Sequence, residues 1–167
     1  MASADRQHAA AMMTARSPLS TMFLLHIALE APLAIQGLFA PQALPFLEAN
    51  NTTLVMIKLY AALSAASCIT ALLVFALPEY LPGKRAFAAG LTVYHTIVAG
   101  TLFGAPRFVP KTFGTLMESI RLTPENTWAL LHAVLGLGFA VWWQGTLPYA
   151  QAAKNLTAGM MAAPAKK

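Results

Sequence analysis

Residues 17–40 read SPLSTMFLLHIALEAPLAIQGLFA, an apolar run interrupted by His26 and Glu30, with Pro32 just beyond them. A helix needs about 20 apolar residues to cross about 30 Å of hydrocarbon, and a group that ionises inside such a run is costly enough to be read as functional by default. Positions 26 and 30 are one helical turn apart, so both side chains point to one face. That face must look at partner helices or a wet cavity, and the rest of the chain has to supply one of them.

The whole chain fits this setting. Its 167 residues are 57% apolar and 10% charged, with a mean hydropathy of +0.59. Average soluble chains carry about 25% charged residues. The expected class is therefore all-α, an integral membrane four-helix bundle with polar ends. The net charge of +5 comes from basic residues scattered at the ends of apolar runs, where they serve as membrane flanks, so no nucleic-acid partner is expected. The single cysteine, Cys68, excludes an internal disulfide and a cysteine-based metal cluster.

Working outward from the first span, residues 1–16 form a polar tail. Its two arginines, Arg6 and Arg16, stand against Asp5, whereas mitochondrial transit segments are Arg-rich and acid-poor. This favours the endoplasmic reticulum or plasma membrane over the mitochondrion. The second apolar run covers residues 54–77, with small Ala61, Ala65 and Cys68 at helical spacing and Lys58 about one turn inside. Small residues let helix backbones approach closely in lipid, and a long lysine can snorkel to the interface. The third run, residues 86–105, is flanked by Lys84-Arg85, holds Tyr94 and His95 near its middle and ends in a Gly100, Gly104 pair at GxxxG spacing.

Residues 107–121 are less hydrophobic. Phe113, Leu116, Met117 and Ile120 recur at i, i+3, i+4 and i+7 behind Thr112, which predicts a short interfacial amphipathic helix between spans three and four. Glu118 and Arg121 read as solvated neighbours. Thr123-Pro124-Glu125 is a helix start, with a capping hydroxyl, a proline at the first position and a carboxylate in the first turn. The fourth span then runs to about Thr146, with His132 inside and Trp128 and Trp142-Trp143 placed as aromatic belts. Residues 147–167 read as a polar tail, which leaves residues 17–146 as the membrane domain.

Four spans put the N-terminus, the loop of residues 78–85 and the C-terminus on one side, with Arg6, Arg16, Lys84, Arg85, Lys154, Lys166 and Lys167. The other side carries Arg107, Lys111 and Arg121. Positive charge prefers the cytoplasm, so both termini are expected there.

At 1.5 Å per residue, His26 and His95 fall about 14 Å from the cytoplasmic starts of spans one and three, Glu30 about 20 Å, and His132 and Lys58 about 20 to 24 Å. In a closed bundle these groups would meet. One reading is a proton-transfer site in a membrane enzyme acting on a lipid or sterol, with Glu30 as acid or base tuned by Lys58 or by His26, His95 and His132. Another is a metal site of His26, Glu30, His95 and His132; no HExxH or other local signature is present, so no metal or cofactor is expected. The plain alternative is a non-enzymatic accessory, scaffold or lipid-binding bundle. There each histidine hydrogen-bonds a carbonyl or a hydroxyl such as Ser64, Ser67 or Thr70, and Glu30 is protonated or paired with Lys58. The partners expected are the bilayer, a lipid or sterol ligand, and another membrane protein or a second copy of the chain.

In span count and length, residues 17–146 resemble the DoxX-like proteins and the sterol isomerase and sigma-2 receptor group. Met117-Glu118 is similar to the Met-Glu of the sterol isomerases, but it sits in a connection without their surrounding acidic and aromatic residues. The resemblance carries over no functional residue.

Overall fold

A computed structural model of the chain describes residues 7, 11, 17–47 and 49–161. The remainder of the N-terminal tail, Glu48 and residues 162–167 lie outside the described residues, together with the charge assignments made there. The elements are α1 (Thr21–Phe39), α2 (Asn51–Phe75), α3 (Pro82–Gly104), α4 (Thr115–Ser119), α5 (Pro124–Gly145) and α6 (Leu147–Met161), with short 3-10 turns at Pro18–Ser20 and Pro41–Ala43. Four stretches are long and apolar enough to cross a membrane: Pro18–Phe39, Asn51–Phe75, Pro82–Gly104 and Pro124–Gly159. The fold is an all-α four-helix bundle that fits a multi-pass membrane protein. Its outer surface agrees, since Ile35, Leu63, Ile97 and Leu137 are all well exposed.

Local chemistry sets the helix starts. The Asn50 side chain accepts the Thr53 N–H at 2.9 Å, and Thr123 accepts that of Asn126 at 3.2 Å. Pro82 and Pro124 each open their helix, where the missing N–H costs nothing. α1 packs along α2 and α3 along α5, the two pairs meet through α1 and α5, and α2 and α3 barely touch. Gly37 explains the first pairing: a Cβ there would lie 2.8 Å from the Ala61 Cβ. Gly136 explains the second, since a Cβ there would press on Thr96 at 3.1 Å and His95 at 3.5 Å. The GxxxG pair behaves differently from its reading. Cβ atoms at Gly100 and Gly104 would meet nothing within 4 Å, so neither glycine serves a close helix contact.

The bundle end that holds Ser17 is closed by a polar clamp. Lys84, read from sequence as an exposed flank, is fully buried, and its Nζ lies 3.2 Å from Glu79 Oε2. The same ammonium donates to the Phe75 carbonyl at 3.4 Å and to the Leu77 carbonyl at 2.9 Å, satisfying open carbonyls at and just beyond the end of α2. Glu79 Oε1 in turn accepts the Ser17 N–H at 3.2 Å and the Ser20 hydroxyl at 2.7 Å. Trp142, expected in an aromatic belt, is buried and donates its indole N–H to Ser20 at 3.0 Å. Phe23 stands edge-on to Trp142 and Phe139, at 5.4 and 5.2 Å, and this aromatic layer separates the clamp from the bundle centre. At the other end Glu125 Oε1 accepts the N–H groups of Phe108 and Val109, at 3.0 and 2.8 Å, tying the long connection to α5.

Two segments differ from expectation. The amphipathic helix has only five residues and starts at Thr115, because Gly114 adopts a φ of 96° and the Thr112 hydroxyl is spent on the Gly114 N–H at 2.8 Å. Glu118 is paired with Arg107 at 2.8 Å rather than merely solvated. After a break at Thr146, the segment read as a polar tail is helical as far as Met161.

Candidate functional site

The face of α1 that carries His26 and Glu30 points into the bundle, and both side chains are fully buried. Glu30 Oε2 accepts the Ser64 hydroxyl at 2.8 Å and the Tyr60 hydroxyl at 3.2 Å. Its Oε1 accepts the Tyr94 hydroxyl at 3.0 Å and lies 3.7 Å from His132 Nδ1. The two tyrosine oxygens are themselves 2.6 Å apart. Three contacts thus link Glu30, Tyr60 and Tyr94 in a triangle. Two hydroxyl protons cannot serve three hydrogen bonds, so the triangle closes fully only with a third proton on the carboxyl.

The histidines form a directed chain. Ser67 donates its hydroxyl to the Ser64 carbonyl at 2.8 Å, so it must accept from His26 Nε2 at 3.1 Å. With one proton per ring, His26 Nδ1 is then an acceptor for His95 Nε2–H at 3.0 Å. His95 Nδ1 likewise accepts from His132 Nδ1–H at 2.8 Å. These tautomers are assigned from the network. The chain ends at His132 Nε2, a buried nitrogen with no hydrogen-bond partner among the described residues.

Helix geometry sorts these groups. Tyr94 and His95 are neighbours on α3 and diverge by about 100°, so His95 enters the core and Tyr94 turns toward α2. Tyr60, Ser64 and Ser67 recur at i, i+4 and i+7 on the facing side of α2. Because α2 and α3 barely touch, a slot of about 210 Å³ opens between them, lined by Tyr60, Ser64, Ser67, Gly90, Leu91 and Tyr94 among others. Its accessible wall is almost entirely apolar, with the hydroxyl groups that contact Glu30 lying behind it.

His26, Glu30, His95 and His132 therefore come together, and Lys58 does not. The buried face of α2 runs through Ala61, Ser64, Cys68 and Ala71. Lys58 lies roughly a quarter of the circumference away from it and is exposed. Thr70, considered as a histidine partner, bonds the Ala66 carbonyl of its own helix at 2.9 Å. Sequence reading missed Tyr60 as a site residue and left Tyr94 without a role. The signal available was that Tyr60 falls one turn before Ser64, on the polar side of α2.

The donor atoms of His26, Glu30 and His95 lie within 4.8 Å of one another. They could hold a divalent ion only if the His26–His95 hydrogen bond opened, since both facing nitrogens are spent on each other.

Comparison with known proteins finds no family model, curated protein or solved structure that matches this chain. The class of the molecule accordingly rests on its fold and site, a four-span bundle with a buried histidine and carboxyl centre.

Proposed function

We propose that the protein is a lipid-binding membrane protein whose slot between α2 and α3 receives the polar end of a neutral lipid alcohol. One observation carries the reading: the slot places an apolar opening on the lipid-facing surface directly over the Tyr60 and Tyr94 hydroxyls that contact Glu30. Pockets for whole drug-sized ligands are about 300–1,000 Å³. A slot of about 210 Å³ suits the end of a lipid whose remaining length stays in the bilayer. A hydroxyl can both donate and accept, which fits a ring of hydroxyls and a carboxyl, whereas no cationic side chain among the described residues lines the slot for an anionic headgroup.

The directed histidine chain favours a second reading, an acid/base site working on a lipid in the same slot. A proton taken up at His132 Nε2 would shift along His95 and His26 to Ser67, which lines the slot.

Gly90 tests the binding reading, because a side chain there meets nothing within 4 Å and would grow into the slot. In nanodiscs, a photoactivatable sterol or long-chain alcohol should label α2 and α3 of the wild type, and Gly90→Leu should lose the label while keeping its unfolding temperature. Equal labelling of both proteins rejects the slot. His132→Gln then separates the two readings, since it removes the nitrogen that takes up the proton and should keep the label under either reading while abolishing turnover only under the second.

A further inference from the structure

We propose that a second groove, between α6 and the start of α3, binds the headgroup of an anionic phospholipid. This site is separate from the slot and does not depend on it. The groove encloses about 990 Å³ and is lined by Arg85, Ala86, Trp143, Leu147, Ala150 and Lys154 among others. α5 has 22 residues, about 33 Å of helix, which already crosses about 30 Å of hydrocarbon. α6 therefore begins at headgroup depth, beyond the break at Thr146.

The charge in the groove calls for an anion. Arg85 is 9% exposed, and its guanidinium donates from Nη1 to the Thr146 hydroxyl at 2.6 Å. The guanidinium rests over the Trp143 ring at 4.9 Å. No described carboxylate pairs with it, because Glu79 is held by Lys84. Lys154, exposed on α6, lines the same groove and has no ion-pair partner among the described residues. Two cations with no counter-charge among the described residues thus share a groove whose remaining wall is largely alanine, leucine and tryptophan. A phosphate diester on acyl chains complements both parts: phosphate for Arg85 and Lys154, and glycerol and upper acyl carbons for the apolar wall.

Trp143 supplies the readout. Wild-type protein is reconstituted into vesicles of phosphatidylcholine containing brominated phosphatidylglycerol, or brominated phosphatidylcholine at the same mole fraction, with Trp143→Phe defining the background quenching. Brominated phosphatidylglycerol should quench Trp143 at lower mole fraction. Lys154→Gln, an exposed position that puts folding at no risk, should weaken that preference by roughly fivefold, and Lys111→Gln at the opposite end should leave it unchanged. Equal quenching by the two lipids overturns the proposal, as does an equal loss in the Lys111 and Lys154 variants, which would reflect bulk charge alone. Inorganic phosphate that competes at millimolar concentration would make this a free-phosphate site and overturn the lipid assignment. Efficient disulfide pairing of Ala158→Cys between copies in a Cys68→Ser background would assign the groove to a dimer instead.

Discussion

Glu30 has two oxygens and four polar neighbours, Ser64, Tyr60, Tyr94 and His132. Such a group is expensive to change in one way and cheap in another. Glutamine keeps the shape and an acceptor, and its amide supplies the extra donor that the tyrosine triangle needs, so Glu30→Gln should cost under about 1 kcal/mol. Leucine leaves the facing hydroxyls without their acceptor, and each buried group so stranded costs about 1–3 kcal/mol. Thermal unfolding in mild detergent should therefore place Glu30→Leu well below Glu30→Gln. Matching losses would mean that the hydrogen bonds contribute little and that the carboxyl is tolerated rather than used. The legible part of this site was the pair one turn apart in a long apolar run. The tyrosines were not legible, because a tyrosine suits an interface and an interior hydroxyl ladder equally well until its neighbour helix is known.

At the scale of the elements, the clamp at the Ser17 end decides how three helices terminate. Lys84 neutralises Glu79, satisfies carbonyls at the end of α2, and stands 5.4 Å from the Phe23 ring. Breaking one side of a fully buried ion pair leaves the other charge uncompensated, at a cost of about 3–5 kcal/mol. Lys84→Met should lose about that much in detergent unfolding. Lys58→Met, an exposed lysine on α2, should stay within about 0.5 kcal/mol of wild type. A small effect at Lys84 would show that the pair is solvated. The sequence offered Lys84-Arg85 as ordinary flanking charges, since basic residues after a proline and glycine at a span end usually are. The bend that carries Glu79 back under Lys84 is what buries them.

Across the whole molecule, the charge pattern read from sequence predicts that the Ser17 end of the bundle is the cytoplasmic one. Arg85 and Lys154 lie at that end and Arg107, Lys111 and Arg121 at the other, and the span count read from sequence assigns Arg6, Arg16, Lys166 and Lys167 to the first group. Lys84 counts for less, being neutralised in its ion pair. In a Cys68→Ser background, membrane-impermeant thiol reagents applied to intact cells should label a cysteine placed at Asn50 and leave one at Gln151 untouched until the membrane is opened. The opposite pattern would invert the topology and move the Arg85 groove to the outer leaflet. The same global arrangement makes the slot, because pairing α1 with α2 and α3 with α5 leaves α2 and α3 nearly out of contact.

The chain alone determined that it folds into four long helices, because only a run of about 20 apolar residues crosses hydrocarbon and the four such runs are separated by proline, glycine and capping residues. It also determined that His26 and Glu30 turn inward, since a lipid-facing carboxyl is too costly. Which polar groups they meet was decided by tertiary structure. Gly37 and Gly136 set how closely two helix pairs approach, and that distance brings His95 to His132 and Ser67 to His26 while leaving Lys58 outside. Periodicity records which face a residue occupies; it holds no information on the rotation and depth at which two such faces lock together.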